Sequence, residues 1–164
     1  MNKMILEKEE ALKILKEEQA YCFNGSESEF EEYIKDCLPE LCSKIGLPDI
    51  KNIIQQKQIK ISNFNIRPDL IVVHEDLSKS IFEIKCTNKK HPATAPTEQC
   101  KAIGQLMLYQ NSIEALTKEK PRMFLIDDKI HLRTVAVFKN SNLPITLIEV
   151  QNGRVFIPYV PINL

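Results

Sequence analysis

No run of about 18 apolar residues occurs in the 164-residue chain, so nothing in it reads as a membrane-spanning helix. Net charge is missing as well. The 22 basic and 22 acidic residues cancel, which removes the strongly basic balance of many nucleic-acid binders and leaves only a local patch for any polyanion. There is no CxxC pair, and the five cysteines are an odd number, so neither a zinc site nor a disulfide framework is expected. They read as reduced, small apolar residues. The opening MNKMILEKEEALKILKEEQAY is charged throughout and lacks the apolar core of a secretion signal, so a cytoplasmic location without membrane association is the default expectation. No internal repeat or linker-like stretch divides the chain, which predicts a single domain over residues 1–164.

What is present is globular: 43% hydrophobic and 27% charged residues, at a length that can bury a proper core. Residues 3 to about 19 have Met4, Ile5, Ala11, Leu12 and Leu15 at helical spacing, predicting an amphipathic helix. After Asn24-Gly25, Ser26 is the expected N-cap of a second helix, with Glu29 completing a capping box. Phe30, Tyr33, Ile34, Cys37 and Leu41 are its expected buried stripe, and Pro39 its expected end or kink. From Lys57 the period becomes two, and Ile59 and Ile61 mark a half-buried strand. Two strands follow in RPDLIVVHEDLSKSIFEIKC, then a loop over 87–97 and a helix from Glu98 to about Leu116. Further strands are expected over 123–127, 129–140, 145–150 and 154–160, with Asn152-Gly153 a hairpin turn. This order implies an α/β or α+β sandwich with a mixed sheet.

The chemistry concentrates in the strand pair. In Ile81-Phe82-Glu83-Ile84-Lys85, Glu83 and Lys85 project to one face and Phe82 and Ile84 to the other. If the preceding strand lies alongside, Asp69 reaches the same edge. Two carboxylates held close repel unless a cation neutralises them, and hard oxygen ligands suit Mg²⁺ or Mn²⁺. A lysine beside them can orient a water or stabilise charge on a phosphate.

Pro68-Asp69, a gap of thirteen residues and then Glu83-Ile84-Lys85 resembles the signature of the PD-(D/E)XK nuclease superfamily. Residues 26–127 also read in the helix–strand–strand–strand–helix–strand order of that superfamily, and Gln105 and Tyr109 resemble the QxxxY element of RecB-like nucleases. The resemblance implies an α/β fold with a restriction-endonuclease-like core, a mixed central β-sheet flanked by helices (αβββαβ), carrying an extra N-terminal helix and C-terminal strands. It implies a Mg²⁺- or Mn²⁺-dependent nuclease acting on nucleic acid, with DNA favoured over RNA, as a homodimer or within a larger nuclease complex. Asp69 and Glu83 would be metal ligands, joined by a glutamate of the first core helix, Glu27 ahead of Glu31. Lys85, Gln105 and Tyr109 would complete the catalytic set. Iron–sulfur relatives use a late cysteine cluster, whereas no cysteine follows Cys100 here.

Gln105 and Tyr109 are an i, i+4 pair expected on a different face from the stripe Ile103, Met107, Gln110, and Gly104 beside them is expected to mark close packing. Lys89 and Lys90, with His91, follow the Glu-x-Lys strand and are candidate phosphate contacts, as are Gln105 and Tyr109. His74 reads as a surface turn residue and His131 as the polar side of a strand. Two other classes of function remain: a nuclease-like nucleic-acid-binding subunit that is silent or needs a partner to cut, and an interaction module whose acidic strand is incidental.

Overall fold

The structure is a computed structural model that describes residues 23–87, 94–151 and 153–162. The helix expected over residues 3–19 lies outside them, as do Lys89, Lys90 and His91.

Helix α1, Glu27–Lys44, opens on the expected capping box: the Glu29 amide donates to Ser26 Oγ, and the Ser26 amide donates to Glu29 Oε2. Pro39 neither ends nor interrupts it. The buried stripe is Phe30, Ile34, Leu38, Leu41 and Cys42, with Tyr33 and Cys37 only half-buried at its flank. The expected stripe was thus rotated slightly toward its aromatic side. Strand β1, Ile50–Gln55, was not legible as a strand, because a register shift between Ile50 and Asn52 breaks its alternation. Strands β2, Ile59–Ile61, and β3, Phe64–Ile66, pair only with each other as a small hairpin, so the expected strand at 57–61 does not enter the main sheet.

Strands β4, Leu70–His74, and β5, Lys79–Lys85, form an antiparallel pair. Helix α2, Ala95–Thr117, starts three residues earlier than expected, with proline in its first turn where a missing N–H is harmless. Strand β6, Arg122–Asp127, returns parallel to β5. Residues 129–140 correct the sequence reading outright, because most of that segment is helix α3, Leu132–Ser141. Ile130, Thr134 and Phe138 are buried at a spacing of four, while Leu132 and Val137, which with Ile130 and Val135 mimicked a period of two, are exposed. His131 is its N-cap, its ring nitrogen accepting from the Arg133 amide. Strands β7, Ile145–Gln151, and β8, Arg154–Tyr159, close the fold as a hairpin, with Gly153 at φ +75° supplying the left-handed turn residue.

The six-stranded mixed sheet runs β1-β4-β5-β6-β7-β8. Phe82, Ile84, Phe124 and Ile148 face α1, while Ile81, Met123, Leu125 and Leu147 face α2 and α3. Both faces are covered, which is why the strands of the parallel pair read as continuous apolar runs. Counting only strands of the main sheet, the order is α1, β1, β4, β5, α2, β6, the expected αβββαβ pattern with a different first strand.

Helix α2 is turned relative to expectation. Ala102, Leu106, Tyr109 and Ile113 are buried, whereas Ile103 and Met107 are only partly so. Gly104 faces open space, since a Cβ there would meet nothing within 4 Å. Leu106→Ala is therefore expected to cost about 2–5 kcal/mol and Ile103→Ala about 1 kcal/mol or less, measured by urea unfolding. Equal losses would place the helix in the wrong rotation.

Candidate active site

Asp69 immediately precedes β4, and the antiparallel register Leu70↔Phe82 sets it beside Glu83 of β5. Alternation turns both, with Lys85, toward the α2 side, while Leu70, Phe82 and Ile84 anchor the opposite face in the α1 core. The carboxyl of Asp69 is pinned, since the Ile84 amide donates to its Oδ2 at 2.8 Å. Glu83 is only 2% exposed, and its Oε1 accepts from Lys85 Nζ at 2.9 Å. Its other oxygen, Oε2, is buried and receives no hydrogen bond.

Burial first, then the charge of Asp69, pushes Glu83 up to about 7 against the pull of Lys85. Burial also raises Asp69, opposed by the Ile84 amide and by Lys85. Lys85 is disfavoured as a cation by burial, but Glu83 and Asp69 outweigh that and raise its pKa. The unsatisfied Glu83 oxygen beside a second carboxyl calls for either a proton or a cation. The donor set fits Mg²⁺ or Mn²⁺, which commonly use one or two protein carboxylates and take remaining ligands from water and phosphate. Among the described residues, no three His, Cys, Asp or Glu side chains converge as a metal cage.

In the metal-free protein the sign of the pH effect follows directly. The folded state keeps the Glu83 proton up to about pH 7, whereas the ordinary glutamate value is 4.5, so stability falls as pH rises between those values. Thermal melts in EDTA at about pH 5 and about pH 8 should show this loss, and Glu83→Gln should reduce it. A Glu83→Gln protein with the wild-type slope would mean that Glu83 ionises freely in the fold.

Helix α1 brings its glutamates to the same end of β5. Glu31 is buried, held by Gln56 Nε2 at 2.6 Å, and its pKa is raised by burial and then by Asp69. Glu27, one turn earlier, is exposed, yet its charge contributes to raising Glu83 and Lys85. From α2, Tyr109 points its hydroxyl to the Arg67 carbonyl at 3.4 Å, and its pKa is raised by burial, then by Glu83 and Asp69, with a hydrogen bond to Gln105 opposing. Tyr109, hydrogen-bonded to Gln105, thus lies within electrostatic reach of the carboxylates, although it belongs to the buried face and not to a separate polar one. Lys89 and Lys90 fall outside the described residues.

Sequence reading missed two parts of this region. Gln56, at φ +43°, donates its amide to the Asp69 carbonyl at 2.8 Å while its side chain holds Glu31. It lies in no strand pattern, and only a left-handed non-glycine residue in the structure reveals it. The second is a buried polar brace. Asp127, paired in register with Lys85, accepts from the Thr87 amide and hydroxyl at 3.1 and 2.6 Å and from Gln99 Nε2 at 2.8 Å. Gln99 also donates to the Lys129 carbonyl and accepts from the His131 amide and Thr134 hydroxyl. His74 is a further correction. It is fully buried, bonding the Pro48 carbonyl and Ser80 Oγ, both at 2.8 Å, because it is the last residue of β4 and not a turn residue, on the same face as buried Leu70 and Val72. Of the cysteines described, Cys42 and Cys86 are buried, Cys37 half-buried and Cys100 exposed, all four free.

No known protein family matches the chain by sequence profile, and no curated protein matches by sequence. Among solved structures it is similar to a repair endonuclease from Pyrococcus abyssi, at 17% identity and a TM-score of 0.47 over 77% of this chain. The chain spans 48% of that neighbour's length. Among the described residues, no helix is long and apolar enough to cross a membrane.

Proposed function

We propose that this protein is a divalent-metal-dependent nuclease that hydrolyses phosphodiester bonds, with DNA as its main substrate and Mg²⁺ or Mn²⁺ as cofactor. The observation that carries the reading is the Asp69–Glu83–Lys85 group: two adjacent carboxyls, one with a buried oxygen lacking any donor, and an ammonium 2.9 Å from the other oxygen. Asp69 and Glu83 would hold the ion, with Glu31 or Glu27 nearest to assist. When bound, it would supply charge neutralisation and Lewis-acid polarisation of a phosphoryl oxygen. Lys85, fixed by Glu83, places a positive charge where a phosphate's developing charge falls. The Ile84 amide keeps the Asp69 carboxyl from rotating out of the site.

Gln105 and Tyr109 border this edge and are suited to orient Lys85 or a phosphate. Tyr109→Phe should lower cleavage while shifting the melting temperature by only a few degrees, since the hydroxyl's partners are the Arg67 carbonyl at a long 3.4 Å and the Gln105 side chain. A large stability loss would assign the hydroxyl to the fold instead.

The direct test is the purified protein with Mg²⁺, Mn²⁺ or EDTA, against linear and circular duplex DNA, single-stranded DNA and RNA. Metal-dependent cleavage of any of these supports the reading. Metal binding without cleavage favours the partner-dependent subunit. Absence of metal binding, with and without nucleic acid, leaves the interaction module.

A further inference from the structure

The chain as a whole is neutral, but its charge is not evenly spread. Residues 51–68 contain Lys51, Lys57, Lys60 and Arg67 and no acidic residue. The last three belong to, or flank, the β2–β3 arm that leads directly into Asp69. The arm is anchored on the sheet through its isoleucines. Ile59, Ile61 and Ile66 pack into the α2-side core, which leaves Lys60 on the solvent face, paired in register with Asn65.

Arg67 stands two residues before Asp69 in the chain and is exposed. Its Nε donates to the Gln56 carbonyl at 3.2 Å and its Nη2 to Gln56 Oε1 at 2.8 Å. Both acceptors are neutral, so the guanidinium is aimed without its charge being cancelled. Among the described residues, no carboxylate forms a salt bridge with Arg67, Lys57 or Lys60, in contrast to Lys79, which pairs with Glu119 beyond the arm. The Arg67 charge also acts on Asp69, which sets it within electrostatic reach of the metal-binding edge. Lys57 and Lys60 border a groove of about 390 Å³ between the arm, the sheet and the C-terminal half of α2.

We propose that the β2–β3 arm is the surface that grips the nucleic-acid backbone, with Arg67, oriented by Gln56, holding the phosphate next to the reacting one and Lys57 and Lys60 holding phosphates further along. The inference rests on the nuclease reading of the Asp69–Glu83 site and adds the side from which substrate enters it. An arginine suits the near position, because its planar fork keeps free N–H donors after two are used for orientation. The lysines act as point charges whose contribution falls with salt.

The test separates the surface from the chemistry. Binding of fluorescent single-stranded and duplex oligonucleotides is measured in EDTA by anisotropy across a salt series, so cleavage plays no part. Arg67→Gln should weaken binding and lower the slope of log affinity against log salt by about 0.7–0.9, the value of one phosphate contact. Lys57→Gln/Lys60→Gln should lower it by about twice that. Arg67→Lys should keep most of the slope while reducing cleavage, because charge is retained and orientation lost. Lys139→Gln/Arg154→Gln, on α3 and on the sheet edge opposite β1, is the charge-matched control and should bind as wild type. Melting curves establish that each variant is folded. Wild-type binding that the arm variants leave unchanged, or that the control weakens equally, overturns the surface alone. Wild-type protein that binds no oligonucleotide, with or without Mg²⁺, overturns the surface and the nuclease reading together.

Discussion

Asp69→Asn and Glu83→Gln should each reduce metal-dependent cleavage to background and abolish Mg²⁺ binding by calorimetry, yet leave the metal-free protein at least as stable as wild type. The two outcomes run in opposite directions for one reason. Without metal, burial disfavours both charges, and the charge of Asp69 adds to the penalty at Glu83. With metal, the same charges are the binding energy. Lys85→Ala separates a third role. It removes no oxygen ligand, so Mg²⁺ should still bind, while the hydrolytic rate drops by about 10²–10³-fold. Loss of metal binding in Lys85→Ala would make the lysine a scaffold for Glu83. Metal binding that survives in Glu83→Gln would remove Glu83 from the ligand set.

The second large effect is expected at Gln99, far from any sequence motif. Gln99→Leu fills similar space but leaves the Lys129 carbonyl, the His131 amide and the Thr134 hydroxyl without the partners that they have now, and takes one donor from Asp127. Each buried group left unsatisfied costs about 1–3 kcal/mol, so a total of about 3–5 kcal/mol is expected after partial relaxation. For a chain of this size that corresponds to a melting temperature lowered on the order of 10 °C. A shift of about 2 °C or less would mean that water replaces the amide easily and that the brace is loose. Asp127 would be left more exposed to its neighbour Asp128, whose proximity, after burial, already raises its pKa.

These two effects also mark what the sequence does and does not disclose. The juxtaposition of Asp69, Glu83 and Lys85 was legible because a strand imposes a period of two: Glu83 and Lys85 must share a face, and a short gap to Asp69 forces a hairpin. The capping box of α1 was legible because its partners are three residues apart. Gln99 was not, because its partners come from 28 to 35 residues away and an isolated glutamine has no local pattern. Strand β1 was hidden by its register shift, and α3 was mistaken for a strand because Ile130 and Leu132, then Val135 and Val137, recur two residues apart. The spacing Ile130, Thr134, Phe138 carried the helical signal, but a threonine in the middle of it concealed the apolar face. The rotation of α2 failed for a related reason. Ala102, fully buried, contributes little to a hydrophobic pattern, whereas Ile103 and Met107 contribute much.

The antiparallel pairing of β4 with β5 bears on how the protein comes to be, as well as on what it does. Asp69 and Glu83 stand on the two arms of one hairpin, whereas the parallel partner β6 arrives only after α2 has crossed the sheet. Local hairpins close in microseconds, while crossovers with long sequence separation pay loop-closure entropy first. The repelling carboxylates therefore meet early in folding, before α2 can bury them, at a stage when water still screens their charges. The burial penalty on these charges is thus expected to fall on the docking of α2. Protons taken up at that moment would ease the final closure, and on the proposed nuclease reading a divalent ion would do the same.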